Sequence, residues 1–285
     1  MGESNSSAVV TKSMTLEPRQ GNDRPKYFEN SFGSINSNGL ENLGYKEYCE
    51  LIPKLKKFGK PIIASCVGFN VQEFETIIKA LDSAGADVIE ANLSCPNIVG
   101  KPQVAYDFEA SEKYLHAIRN STQKPLWIKL PPYFEEVHRS EMAKILLHNN
   151  VDGITLINSV GNSLIVDVEK EQTVMKPKTG LGGLGGKYVK PIALANVWSF
   201  HNELKDKIPI VGVGGVYSGS DAFEFFLCGA SLIQIASAFK NEGIGIFERI
   251  EKEFLQLMQK KKYHSIEQFR GKLKTVENED YGFSA

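Results

Sequence analysis

Two amide side chains, a hydroxyl and a thiol are concentrated in one short stretch of the chain, Asn92-Leu93-Ser94-Cys95-Pro96-Asn97. The stretch follows an apolar run at residues 86–89, which predicts a buried strand, and Pro96 cannot continue a central strand. Amides at the end of a strand can pair donors and acceptors with a flat polar heterocycle. A thiol beside them can move a proton or attack as a nucleophile. The alternative is a polar turn with a buried cysteine, which is the usual situation of a cysteine.

Two lysines and two small-residue pairs follow other apolar runs. Lys12 and Lys129 each come at the end of a predicted strand, where an ammonium group is costly unless an anion or an electron-rich ring balances it. Either lysine alone fits a surface position, but the pair favours a site for an anionic or reducible group. Gly214-Gly215 and Ala236-Ser237 fit a phosphate site, because backbone N–H groups can approach a phosphate closely where glycine has no Cβ. Two tight turns are the alternative.

Apolar runs alternate with amphipathic stretches along nearly the whole chain. The predicted strands are residues 8–11, 61–65, 87–91, 125–130, 153–158, 208–213 and 231–235. The predicted helices are residues 45–58, 71–84, 108–120, 137–149, 189–205, 218–228 and 243–259. This alternation predicts parallel strands joined by right-handed crossovers, and its repetition favours a (β/α)8 TIM barrel of the α/β class over an open sheet. Only seven strands are predicted, so the first strand of such a barrel has no counterpart in this chain.

Two long excursions break the alternation, at residues 13–44 and 163–186. Both leave the carboxyl ends of predicted strands, where barrel enzymes keep their chemistry, and long loops there are more often functional than disordered. Residues 180–185 match G-x-G-x-x-G but follow charged residues instead of an apolar strand, so we reject a dinucleotide-binding fold. We expect a single domain over residues 1–285, with both excursions over the active site and a tail at residues 277–285.

Composition excludes several classes of protein. The 285 residues carry a net charge of −1 without a long basic block, which gives no electrostatic basis for binding nucleic acid. The four cysteines are widely spaced without C-x-x-C, and the five histidines show no ligand spacing, so we expect a reducing compartment and no metal. No apolar run reaches the roughly 18 residues that a membrane span needs. We therefore expect a cytoplasmic protein that does not bind a membrane.

The chain resembles the dihydroorotate dehydrogenases, specifically the cytosolic class 1A type, which are flavin-dependent barrels. The matching words are Val10-Thr11-Lys12-Ser13, Gly33-Ser34-Ile35-Asn36-Ser37, the stretch from Asn92 to Asn97, Ile128-Lys129-Leu130-Pro131-Pro132-Tyr133-Phe134, Ile157-Asn158-Ser159, Gly182-Gly183-Leu184-Gly185-Gly186 and Gly214-Gly215. They occur in family order over about residues 9–276, and Cys95 is the class marker, since the class 2 type carries serine there. The resemblance implies oxidation of (S)-dihydroorotate to orotate in de novo pyrimidine biosynthesis, with FMN as cofactor, fumarate reduced to succinate as the second substrate, and a homodimer.

The resemblance also implies a role for each matching position. Cys95 would be the general base that removes the proton at C5 while a hydride passes from C6 to flavin N5. The substrate would be held by Lys12, Asn36, Ser37, Asn38, Gly39, Leu40, Asn92, Asn97, Asn158 and Ser159. FMN would be held by Lys12, Ser13, Asn92, Lys129, Ile157, Gly186, Gly214, Gly215, Ala236 and Ser237.

Three features depart from the family pattern. The family's first strand, with a turn that contacts the flavin, has no counterpart before Ala8, so we expect an N-terminally shortened chain with an opened barrel. Asn38 stands where the family usually has an apolar residue, and Ala236-Ser237 replaces the usual Gly-Thr. Two alternatives therefore stay open: a catalytically impaired FMN-binding barrel, and a related flavin dehydrogenase that acts on another pyrimidine.

Overall fold

The computed structural model of the chain describes residues 2–95 and 103–276. Its strands are β1 (Val9–Val10), β2 (Tyr27–Asn30), β3 (Gly33–Asn36), β4 (Ile62–Cys66), β5 (Val88–Asn92), β6 (Leu126–Leu130), β7 (Gly153–Leu156), β8 (Val160–Ser163), β9 (Val166–Asp167), β10 (Gln172–Thr173), β11 (Gly182–Gly185), β12 (Ile210–Val213) and β13 (Leu232–Gln234). Its α-helices are α1 (Tyr45–Leu55), α2 (Val71–Ser83), α3 (Phe108–Asn120), α4 (Glu136–His148), α5 (Lys190–Leu204), α6 (Gly219–Leu227), α7 (Ser237–Glu242) and α8 (Ile246–Lys260).

The main sheet has seven strands in the order β1-β4-β5-β6-β7-β12-β13. Every neighbouring pair in it is parallel. This order and direction are those of consecutive β/α units in a barrel. All seven predicted strands are confirmed, with ends within a few residues of their predicted bounds. Within the described residues the sheet ends at β1 on one side and at β13 on the other, as the count of seven strands predicted.

The helices pack on the outside of this sheet through apolar stripes. In α2 the buried side chains are Phe74, Ile77, Ile78 and Leu81, which recur at the three- and four-residue spacing of one helix face. The start of α2 is fixed by Asn70, whose side chain accepts a hydrogen bond from the backbone of Glu73. Strand β4, which precedes α2, is buried along its whole length. All seven predicted helices are confirmed, and α7 is an additional short helix that the sequence pattern did not predict.

The two long excursions pair with each other in a separate antiparallel sheet of four strands, ordered β2-β3-β11-β8. Ile35 in β3 lies opposite Leu184 in β11. Both segments were predicted to be long loops, because segments rich in glycine and asparagine have little intrinsic β propensity. The pairing partner of each segment lies far away in the sequence, so only the folded chain supplies the ladder.

The described residues hold neither a membrane-spanning helix nor a metal-binding cluster. None of the described helices is both long and apolar enough to span a bilayer. No cluster of three or more histidine, cysteine or acidic side chains suitable for a metal ion occurs among residues 2–95 and 103–276.

Candidate active site

A cavity of about 480 Å³ lies at the carboxyl ends of the parallel strands, below the four-stranded sheet. Its volume is within the roughly 300–1,000 Å³ of small-molecule sites. The predicted site residues that line it are Lys12, Ser13, Asn36, Asn38, Gly39, Leu40, Asn92, Cys95, Lys129, Ile157, Asn158, Ser159, Gly186, Gly214, Gly215, Ala236 and Ser237. The fold therefore gathers residues from nearly every β/α unit into one cavity.

One predicted residue does not line the cavity, and another falls outside the part of the chain that the structure describes. Asn97 lies outside the described residues. Ser37 is fully buried, and its carbonyl oxygen and hydroxyl accept hydrogen bonds from Asn22 Nδ2 at 2.9 and 3.3 Å. The side chain of Ser37 thus packs behind the cavity wall that Asn38, Gly39 and Leu40 form.

A hydrogen-bond network around the Asn92 amide joins the strand ends under the cavity. Asn92 Nδ2 donates to Ser13 Oγ at 3.2 Å, and Ser13 Oγ lies 2.9 Å from Ser65 Oγ. Asn92 Oδ1 accepts from the backbone of Ser94 at 3.0 Å and from Asn158 Nδ2 at 3.3 Å. Ser94 Oγ is also 3.0 Å from the carbonyl oxygen of Lys129. The amide is therefore held in one orientation directly beside the loop that carries Cys95.

The register of the parallel strands brings these groups together. Asn92 in β5 lies opposite Lys129 in β6. Side chains two residues apart along a strand point to the same face, so Glu90 shares the cavity face of β5 with Asn92. Glu90 is buried, and its Oε2 accepts from Thr155 Oγ1 at 2.8 Å and from Gln234 Nε2 at 3.3 Å. The floor of the cavity is thus a buried carboxylate whose donors come from β7 and β13.

The polar Asn38, at the position where an apolar residue was expected from the resemblance, contacts a neighbouring site residue. Asn38 Nδ2 donates to Asn36 Oδ1 at 3.3 Å, while Asn36 Nδ2 donates to the carbonyl oxygen of Gly183 at 3.2 Å. Both ends of the Asn36 amide are therefore engaged, one by Asn38 two residues later in the same excursion and one by Gly183 in β11. Asn38 fixes the orientation of the Asn36 amide in the cavity wall.

Glycine is required where Gly186 and Gly215 line the cavity, a region that we call the glycine-rich end. Gly186 and Gly215 have φ values of +65° and +82°, which side chains with a Cβ rarely adopt. A Cβ on Gly186 would meet the Tyr217 hydroxyl, and one on Gly215 would meet Lys190. Because glycine has no side chain, a ligand can approach the backbone N–H groups here, as the predicted phosphate site requires.

Two tyrosines and a lysine surround this glycine-rich end. The Tyr217 hydroxyl is hydrogen-bonded to the side chain of Ser237, and burial raises the pKa of Tyr217. Lys240 Nζ lies 3.3 Å from the ring centroid of Tyr27, a cation–π contact. Burial, and then the hydrogen bond from the Tyr27 hydroxyl to Glu29 at 2.7 Å, raise the pKa of Tyr27. Burial alone would raise the pKa of Glu29, but bonds from Asn241 and Tyr27 and the charge of Lys240 together lower it.

Several cavity residues were missed by the sequence analysis. They include Tyr27, Ser34, Ser65, Glu90, Tyr217, Gln234 and Lys240. Spacing offered a signal for three of them, since Glu90 and Gln234 lie two residues before predicted strand-end residues and Lys240 lies one helical turn after Ser237. No local signal pointed to Tyr27 or Ser34, because they reach the cavity only through the pairing of β2 and β3 with β11.

Asn42 organises the cavity wall from behind, although it does not line the cavity. Its Oδ1 accepts from the backbone N–H groups of Thr15 at 3.1 Å and Gly44 at 2.8 Å. Its Nδ2 donates to Thr15 Oγ1 at 2.8 Å and to the carbonyl oxygen of Leu40 at 2.7 Å. Every donor and acceptor of this buried amide is therefore used, and the segment around Leu40 is tied to the segment that follows β1.

Comparisons with known proteins give a consistent result. The profile of the family described as dihydroorotate dehydrogenase matches residues 1–258. The chain is 47% identical over 277 residues to dihydroorotate dehydrogenase A (fumarate) of Lactococcus lactis subsp. lactis, which covers 96% of this chain and 89% of that relative. It is 47% identical over 280 residues to dihydroorotate dehydrogenase (fumarate) of Kluyveromyces lactis, covering 97% and 89%. It is 46% identical over 278 residues to the Lachancea kluyveri protein of the same name, covering 96% and 88%.

Replacing Asn42 by alanine tests whether its hydrogen bonds stabilise the segments behind the cavity wall. Asn42→Ala leaves buried groups of Thr15, Leu40 and Gly44 without partners, so we expect the free energy of unfolding in urea to fall by about 1–3 kcal/mol. Asn120→Ala is the control, because the Asn120 amide is exposed and bonds only His116 among the described contacts. Equal losses in the two variants would contradict the assignment.

Proposed function

We propose that this chain, which belongs to the dihydroorotate dehydrogenase family, oxidises (S)-dihydroorotate to orotate in pyrimidine biosynthesis and passes the electrons to fumarate. Membership of the family makes the chain an oxidoreductase. The names of its relatives state both the substrate and the acceptor. The observation that carries the proposal is the single cavity that holds a thiol, three oriented asparagines and two predicted lysines.

The residues present fit FMN as the cofactor. At one end of the cavity, bare backbone at Gly186 and Gly215 and the Ser237 hydroxyl offer donors to a phosphate. Lys129, with Ser13, Asn92 and Ile157, would hold the ring, and Gly214 and Ala236 would complete the phosphate end. When bound, FMN would take the hydride from C6 of the substrate and deliver the electrons to fumarate.

Cys95 would act as the general base. It lines the cavity immediately after the Asn92–Ser94 network, so its backbone position is fixed by hydrogen bonds of its neighbours. Removal of the C5 proton by a positioned thiolate leaves an electron pair that forms the C5–C6 double bond as the hydride departs. The proton stays on the sulfur until solvent takes it.

Amides and lysines would hold the substrate. A planar imide needs paired donors and acceptors, because an unpaired group would be penalised on burial. Asn36, Asn92 and Asn158 offer amides whose orientation is set by bonds to other parts of the protein. Lys12 would balance the carboxylate of the substrate, together with Ser159 and the backbone of residues 37–40, and Asn97 belongs to the same proposed set.

We further propose that residues 1–285 form a single FMN-binding domain, that the protein is cytoplasmic, and that two copies form a homodimer. A group of exposed apolar side chains on the second excursion, residues 163–186, supports self-association. Leu164, Val166 and Val168 are 49%, 53% and 77% exposed around the hairpin of β9 and β10. Contiguous exposed apolar surface on a soluble protein marks interaction sites.

Flavin bleaching tests the reaction and the role of Cys95 together. The purified protein should be yellow and should bleach when mixed anaerobically with dihydroorotate. Cys95→Ala should keep the flavin but bleach about 10²–10⁴-fold more slowly in single-turnover measurements, because it lacks the base. Cys49→Ala, which changes a thiol on α1 that does not line the cavity, should bleach at the wild-type rate. A wild-type protein that does not bleach supports the impaired-barrel alternative, and bleaching by another dihydropyrimidine alone supports a different substrate.

Lys129→Ala should weaken FMN binding about tenfold or lower the reduction potential of the bound flavin. The physical reason is that a cation beside the ring stabilises negative charge that develops there. Titration and potentiometry measure the two quantities, with Lys144→Ala, whose side chain is 74% exposed, as the control. No change in either quantity would refute the role of Lys129.

Val168→Asp should shift the protein from dimer to monomer in size-exclusion chromatography with light scattering. A carboxylate desolvated at an apolar interface without a partner is costly. Val137→Asp is the matched control, since Val137 is 69% exposed and lies on α4. If both variants stay dimeric, the hairpin is not the interface.

A further inference from the structure

Lys240 brings a third ammonium group to the described cavity, beside Lys12 and Lys129. It lies at the glycine-rich end, where Gly215, Tyr217 and Ser237 also line the wall. Ser237 and Lys240 are three residues apart in α7, so their side chains share one face of that helix. The lysine therefore stands on the same surface as the hydroxyl that faces the proposed phosphate.

The present contacts of Lys240 leave its ammonium group able to move. Its Nζ lies over the Tyr27 ring, 3.3 Å from the centroid, and 3.8 Å from Glu29 Oε2, a long ion pair, and its side chain is 56% exposed. Partly exposed pairs of this kind contribute little to stability. Glu29 is served by other donors, since the Tyr27 hydroxyl lies 2.7 Å from Oε2 and Asn241 Nδ2 lies 2.6 Å from Oε1. The Glu29 carboxylate thus keeps two hydrogen bonds when Lys240 turns to an anion.

We propose that Lys240 binds the phosphate group of FMN and so makes the cavity select the phosphorylated flavin over riboflavin. This inference rests on the proposed function. A phosphate monoester carries a charge of about −1.5 to −2 near pH 7. Backbone N–H groups supply hydrogen bonds to such a group but no net charge, so a flexible cation beside them adds affinity.

Two other lysines near this end are less suited to the phosphate. Lys190 Nζ is held at 2.6 Å from Asp221 and 2.9 Å from Glu224, so two carboxylates already neutralise it. Lys187 Nζ lies 5.4 Å from the ring centroid of Tyr217 and does not line the cavity. Lys187 therefore provides a matched control, being a lysine over a tyrosine of the same region without access to the ligand.

The test is a titration of flavin-free protein with FMN and, separately, with riboflavin, followed by flavin fluorescence. Lys240→Gln should weaken FMN binding about tenfold or more, as loss of a charge-assisted hydrogen bond predicts, and leave riboflavin binding unchanged. Lys240→Arg should keep most of the preference for FMN. Added salt should weaken FMN binding by the wild type more than by Lys240→Gln.

Each other outcome overturns the inference. Equal losses of FMN and riboflavin affinity in Lys240→Gln would indicate a structural role. If Lys187→Gln loses as much FMN affinity as Lys240→Gln, the effect is a non-specific one of positive charge near the site. If Lys240→Gln binds FMN with the same affinity relative to riboflavin as the wild type, the role of Lys240 is refuted and the proposed function still stands. A wild-type protein that binds neither flavin would refute the proposed function as well.

Discussion

The hydrogen-bond network of the Asn92 amide is the constraint on which the site depends. Asn92 is 6% exposed and Ser94 is fully buried, so their polar groups are costly unless each finds a partner. Those partners come from the segment after β1 and from the ends of β4, β6 and β7. The network is satisfied only when these strand ends stand in one register, and the same register sets the start of the Cys95 loop.

A second buried amide performs the same task behind another part of the cavity wall, the segment around Leu40. Asn42 ties the segment around Leu40 to Thr15, and Asn22 binds the carbonyl oxygen of Ser37 within the first excursion. Neither amide touches the cavity, yet together they fix the backbone that faces it. Both walls are therefore formed by the folded protein itself, which lowers the cost of ordering them around a ligand.

Charged and neutral polar side chains occupy different parts of the cavity. Lys12 and Lys129 project from the strand ends, Lys240 lies at the glycine-rich end, and the buried Glu90 carboxylate lies on the floor. Neutral amides occupy the region near Cys95. Both end strands of the sheet contribute to this site, since Val10 from β1 and Gln234 from β13 line the cavity. An elongated ligand with an anionic end and a planar polar end matches this distribution.

Local sequence determined the strands and helices of the barrel and the residues at the strand ends. Apolar runs such as the one before Asn92 identify strands by themselves, and parallel crossovers then place Lys12, Asn92, Lys129 and Asn158 on one edge. The four-stranded sheet could not be predicted, because Gly33–Asn36 becomes a strand only by pairing with Gly182–Gly185, far along the chain. For the same reason Tyr27 became a site residue only in the fold, since β2 reaches the cavity through its pairing with β3. Local pattern encodes which segments are buried, whereas long-range pairing and side-chain packing decide which of their neighbours share the cavity.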